Sequence, residues 1–182
     1  MTLNSDVIRK VLFDCFDDLS EALVFVEKRH QRVHVGKAFS CSHLSSSVAN
    51  GTNLDVLMKT GAYTVHLVYT AAVSAEFEIR LYEDTIISSD GTFLPVLNKN
   101  RGSVNTTTLL AFLGPTVTGI GTELRVNLLP GAQKDKEVGA ILGEFPEYNL
   151  KPDTNYLIRL SNTSGGTSKV AMDIEFYLGL PI

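Results

Sequence analysis

Three of the four histidines and one of the two cysteines lie close together, as His30, His34, Cys41 and His43. His30 and His34 are four residues apart, which on a helix puts both imidazoles on one face, and Cys41 and His43 are two apart, which does the same on a strand. Such a set has the spacing of zinc ligands. The helical period is ending near His30, however, and no Cys-x-x-Cys or His-Glu-x-x-His pattern accompanies it. Turn and strand histidines with ordinary hydrogen bonds are the stronger reading.

Carboxylates come in pairs, Glu76 with Glu78 and Asp173 with Glu175, each pair on one face of a strand pattern. Paired carboxylates can cleave glycosidic bonds, but charges also routinely fill the wet face of an amphipathic strand, and that reading carries more weight. Gly119-x-Gly121 has half the spacing of a phosphate loop without the helix or lysine that must follow, so it reads as a turn. There is no Gly-x-Ser-x-Gly elbow. The sequence therefore assigns no catalytic residue, no cofactor and no metal, and points away from an enzyme.

The elements that would position these residues follow from hydrophobic period. From Ser5 to about Lys28 the apolar residues Val7, Ile8, Val11, Leu12, Cys15, Leu19, Leu23 and Val26 recur at helical spacing, with Phe13, Phe16 and Phe25 widening the apolar face. Asn4 or Ser5 can cap this helix. After His34 the period becomes two. Phe77, Ile79 and Leu81 alternate with Glu78, Arg80 and Tyr82; Leu124, Val126 and Leu128 oppose Arg125 and Asn127; Val170, Met172, Ile174 and Phe176 alternate with Asp173, Glu175 and Tyr177. Turn clusters such as Asn50-Gly51, Asp90-Gly91 and Lys151-Pro152-Asp153 separate these runs.

The expectation is a mainly β protein of about eight to ten strands. It takes the form of an antiparallel, jelly-roll-like β-sandwich with an N-terminal amphipathic helix. Residues 1–32 form a helical arm, residues 33–182 form the β domain, and the last two strands pair as a hairpin across the Asn162–Ser168 loop. In the corner Leu150-x-Pro152-x-Thr154-x-Tyr156 the tyrosine ring enters the core while its hydroxyl reaches backbone.

Charge is unevenly spread. Sixteen Lys and Arg against twenty Asp and Glu give a net charge of −4, which offers no general attraction to nucleic acid or to an anionic membrane. No apolar run approaches the roughly 18–20 residues that span a bilayer, and the N-terminus lacks the pattern of an export signal. A reduced protein made in the cytoplasm is expected. Between Val33 and Ala75 only Lys37, Asp55 and Lys59 are charged, and from Gly102 to Thr122 nothing is. Segments of this kind are either buried or covered by another chain, since charge depletion marks the centre of interfaces. The interface candidates are Leu12, Phe13, Phe16 and Leu19 on the helix, Asn98, Asn100 and Arg101 in a corner after an apolar strand at Phe93–Leu97, and Thr106 and Thr108 in the charge-free run. The competing reading of the corner is a tight, hydrogen-bonded turn.

Several segments taken in order carry a resemblance: His30-x-x-x-His34-x-Gly36-x-x-Phe39, the strand Glu76–Glu83, Asn98-x-Asn100-Arg101, Pro115–Thr122 and Leu150-x-Pro152-x-Thr154-x-Tyr156. Together, over roughly residues 30–178, the chain resembles head-decoration or cement proteins of tailed bacteriophages. It departs from them at Lys99, where a second arginine is expected. The resemblance implies a β-sandwich that sits on the capsid exterior, binds the major capsid protein and itself as a dimer or trimer, and has no catalytic residues. A tail, neck or fibre component, including a carbohydrate-binding jelly roll, is the alternative. The absence of tryptophan weighs against the sugar-binding form.

Overall fold

Apolar residues at alternate positions must share one side of a strand, and burying that side is what draws the strands together. The computed structural model describes residues 28–130, 140–141 and 146–181. A short helix α1 (Lys28–His34) leads into strands β1 (Ala38–Val48), β2 (Asn53–Lys59), β3 (Tyr63–Val73), β4 (Phe77–Glu83), β5 (Ile86–Ser89), β6 (Thr92–Leu94) and β7 (Leu97–Asn98). There follow β8 (Leu110–Leu113), β9 (Thr116–Gly119), β10 (Thr122–Leu129), β11 (Ala140–Ile141), β12 (Tyr148–Leu150), β13 (Asn155–Asn162) and β14 (Ser168–Pro181). The expected helix over Ser5–Lys28 lies outside the described residues, apart from Lys28 itself. The described helix, Lys28–His34, lies beyond the point where the apolar period ends.

The strands form two six-stranded antiparallel sheets. One runs β11-β3-β14-β1-β7, with β12 also paired to β3; the other runs β10-β4-β13-β2-β8-β6; β5 and β9 make a separate two-stranded ribbon. Side chains from both sheets meet in one hydrophobic core: Phe39, Leu67, Ile174 and Phe176 from the first, Val56, Ile79, Tyr156 and Ile158 from the second. Full burial of each such side chain stabilises the fold by about 1.5–3 kcal/mol. Leu57 and Leu157, cross-strand partners on the opposite face of the second sheet, are fully buried as well. The segment carrying the ribbon is tied to the same two strands, through Lys59 Nζ to Asp90 at 3.2 Å and Asn155 Nδ2 donating to the Thr85 carbonyl at 3.1 Å.

The architecture departs from the sequence expectation in four places. Fourteen strands are present among the described residues, because several of two to four residues carry too short a pattern to be read. Pro95, which has no N–H for a ladder, divides the expected Phe93–Leu97 strand into β6 and β7. On β10 the phase is inverted: Val126 and Leu128 pair with Arg80 and Glu78 and are exposed, whereas Asn127 and Leu129 pair with the inward-facing Ile79 and Phe77. A register shift between Glu123 and Arg125 skips Leu124 and accompanies this change of face.

The fourth departure is the final connection. β13 lies between β4 and β2 in one sheet and β14 between β3 and β1 in the other, so the Asn162–Ser168 loop carries the chain from sheet to sheet and closes no hairpin. Asn162 is 1% exposed and holds this crossing. Its Nδ2 donates to the carbonyls of Val48 (2.7 Å) and Gly166 (2.8 Å), and its Oδ1 accepts from the Ser164 N–H (3.0 Å) and hydroxyl (2.7 Å).

Candidate interaction surfaces

Helix α1 ends in a Schellman motif: the Gly36 N–H donates to the Val33 carbonyl at 3.0 Å and the Lys37 N–H to the Arg32 carbonyl at 2.8 Å. Gly36 has φ +66°, and a Cβ there would collide with the Ser103 side chain, so glycine is required twice over. The next carbonyls are taken by three asparagines from a distant loop. Asn100 Nδ2 donates to the His34 carbonyl (2.9 Å), Asn98 Nδ2 to that of Gly36 (3.0 Å), and Asn105 Nδ2 to those of Val35 (3.3 Å) and Gly36 (3.2 Å). Within the loop, the Asn100 N–H donates to Asn98 Oδ1 at 2.9 Å and the Gly102 N–H to Asn100 Oδ1 at 3.1 Å. Asn98 and Asn100 thus spend their amides on holding the helix end. Arg101 is exposed and reaches back to the Asn98 carbonyl at 3.4 Å, and Thr106 and Thr108 are exposed. Leu12, Phe13, Phe16 and Leu19 lie outside the described residues.

Between α1 and the first sheet is a cleft of about 270 Å³ lined by residues that include Arg29, His30, His66, Lys99, Glu175 and Tyr177. Its charges answer one another. Glu175 meets Lys99 Nζ at 2.6 Å and Arg29 at 3.6 Å; His66 stacks on Tyr177 with centroids 4.5 Å apart, and both bond the Glu147 carboxylate. Burial, followed by the bond to Glu147, pushes the Tyr177 phenol up to about 12. Arg32 sits 6.0 Å over the Tyr177 ring, and its buried Nε has no hydrogen-bond partner among the described residues.

A second polar cluster closes the Pro152 corner. Tyr156 buries its ring in the core while its hydroxyl accepts from the Lys151 N–H (2.9 Å) and donates to Glu83 (2.7 Å), as the corner pattern leads one to expect. The Lys151 ammonium, 2.7 Å from Glu83, and the Tyr156 hydroxyl hold the Glu83 carboxyl below the usual glutamate range. The paired carboxylates are otherwise engaged: Glu78 meets Arg80 at 2.8 Å, and Glu76 accepts from Thr163 at 3.0 Å. Gly121, at φ +84°, turns the chain between β9 and β10, where a Cβ would collide with the Glu83 carbonyl.

The histidine and cysteine set separates. Cys41 is a free thiol in the core, pushed up to about 12 by burial and then by Asp173, and so is a poor source of thiolate. His30 and His34 remain together on α1, and no group of three His, Cys, Asp or Glu residues able to hold a metal occurs among the described residues.

The surface of a different kind is the edge of β1. One side of this strand pairs with β14 along its length, whereas β7 covers the other side only at Phe39 and Ser40. From Cys41 to Val48, no strand among the described residues pairs with that outer side. The uncovered stretch, Cys-Ser-His-Leu-Ser-Ser-Ser-Val, has no Lys, Arg, Asp, Glu or Pro, and Leu44 is 67% exposed. Such an edge offers backbone N–H and C=O groups to any extended segment, and proteins normally guard against this with charge, proline or short strands. The other edges of the two six-stranded sheets have those guards: β6 is three residues long and is followed by Pro95, β7, β11 and β12 are two or three residues long, and β10 carries Glu123 and Arg125. No helix among the described residues is long and apolar enough to cross a membrane.

No protein-family model matches the chain, and no curated protein matches it.

Proposed function

We propose that the chain is a structural virion protein that binds the exterior of an assembled phage capsid and stabilises the shell, with its two sheets packed face to face as a jelly-roll-like sandwich. The observation that carries this reading is the charge-free edge of β1 from Cys41 to Val48, which no strand among the described residues pairs, with Leu44 exposed on it. An unguarded edge suits a protein whose working state is against another protein, because strand addition supplies affinity through main-chain hydrogen bonds and specificity through side chains at alternate positions. The ordered segments resembling head-decoration proteins point the same way and make the major capsid protein the partner, with self-association alongside it.

The shared core supports the sandwich reading, since residues of both sheets contribute to one apolar cluster. A protein that binds the assembled shell and not its free subunits stabilises the shell by mass action, and many copies on a symmetric lattice multiply a modest contact into a durable one. The test is co-sedimentation of the purified chain with shells that lack it, with free capsid subunits as control. Saturable binding to shells alone is expected. Absence of binding refutes the reading and turns the search to tail, neck or fibre structures.

A further inference from the structure

His30 and His34 point their Nε2 atoms at each other across one turn of α1, 2.9 Å apart, with the rings edge to face at 4.5 Å between centroids and an interplanar angle of 68°. In the metal-free pair one Nε2 carries the hydrogen and the other accepts it. Side chains four apart on a helix can stack, diverge or meet flank to flank; here the two Nε2 atoms meet at hydrogen-bond distance. A metal bonded to both at about 2.0–2.1 Å would hold them about 2.9 Å apart at a right-angled site and about 3.3 Å apart at a tetrahedral one. The hydrogen-bonded separation of 2.9 Å lies within about 0.4 Å of both values, so an ion can replace the shared hydrogen with little movement of either ring.

The pair is also held in place. The backbone of His34 is fixed by Asn100, which donates to its carbonyl at 2.9 Å, and the following residues by Asn98, Asn105 and the glycine turn. Arg29, beside His30, meets Glu175 on β14 at 3.6 Å. Rigid support of this kind lowers the ordering cost of chelation.

We propose that His30 and His34 form a two-point chelate for a divalent transition ion of the imidazole-preferring class, Zn²⁺, Ni²⁺ or Cu²⁺. Both imidazoles bind in the neutral form through Nε2, each with its hydrogen on Nδ1, and water completes the coordination. The site differs from the four-ligand set suggested by sequence, because Cys41 is buried in the core.

The test is calorimetric titration of the metal-free full chain with Ni²⁺ and with Zn²⁺ in a non-chelating buffer at neutral pH. One ion per chain is expected, with weaker binding in acid because protons compete for the same lone pairs. His30→Gln and His34→Gln should each weaken binding by more than the about 10–100-fold typical of losing an outer-shell partner, and the double variant should abolish it. His43→Gln and His66→Gln should bind as the parent does. A parent chain that binds no ion, or a double variant that binds like the parent, overturns the proposal. Electron paramagnetic resonance of the unmodified chain with Cu²⁺ tests the geometry without any substitution: coupling to two imidazole nitrogens is expected, and coupling to fewer contradicts it.

Discussion

The α1–β14 face and the free edge of β1 belong to the same sheet, yet they treat polar groups in opposite ways. On the first, Glu175, Lys99, Arg29, His66 and Tyr177 lie in a web of ion pairs, stacking and carboxylate bonds. On the second, no charged side chain is present, and the main-chain groups on its outer side have no strand opposite them among the described residues. A satisfied polar face has little left to offer a partner except shape, whereas an open edge offers directional bonds at regular spacing. Under the proposed function, the first region serves stability and the second association.

That division can be broken experimentally. The largest expected effect is on the connection that carries the chain from β13 in one sheet to β14 in the other. Asn162→Ala should cost about 2–3 kcal/mol in urea unfolding, since it strips the buried Val48 carbonyl and the part-buried Gly166 carbonyl of their donor. A loss under about 0.5 kcal/mol would mean that the crossing is held by other groups. Next comes Leu44→Lys, which places a charge on the free edge. It should weaken shell binding at least about tenfold, or about 1.4 kcal/mol, while leaving unfolding stability within about 0.5 kcal/mol of the parent.

Glu83→Gln should cost about 1 kcal/mol at neutral pH and flatten the acid limb of the stability curve. The sign follows from the depressed carboxyl. Its contribution is present in full above the ordinary glutamate value of about 4.3 and is lost as pH falls through the lower folded value. Chemical unfolding at pH 7 and at pH 3 measures both effects, and an unchanged pH dependence would contradict the assignment. The smallest change belongs to Glu175→Gln, whose pairs are part-exposed: at most about 1 kcal/mol, with shell binding unaltered. Weakened binding in this variant, with Leu44→Lys silent, would reverse the division.

Much of the β architecture was legible in the alternation of residues such as Phe77-x-Ile79-x-Leu81 and Val170-x-Met172-x-Ile174, because burying one face of a strand imposes a period of two whatever the sheet order. The Tyr156 corner was legible for a similar local reason. Sheet membership was not, since β13 and β14 have the period of a hairpin while Asn162 sends them into different sheets through bonds to Val48, far away in sequence. Nor was the phase of β10, where a register shift reverses which side is wet. The charge-free run over β1 was visible in composition, but its meaning depends on which strand lies at an edge, and pairing decides that. The asparagine corner could be read either as a surface or as a turn, and its three amides bond to the end of α1.

The central claim, that the β1 edge is the working surface, is tested most directly by amide hydrogen exchange on the full chain, free and bound to assembled shells. Protection gained on binding should concentrate at residues 41–48, with the α1–β14 face little changed. Protection confined to that charged face, with residues 41–48 exchanging as freely as before, would contradict the account.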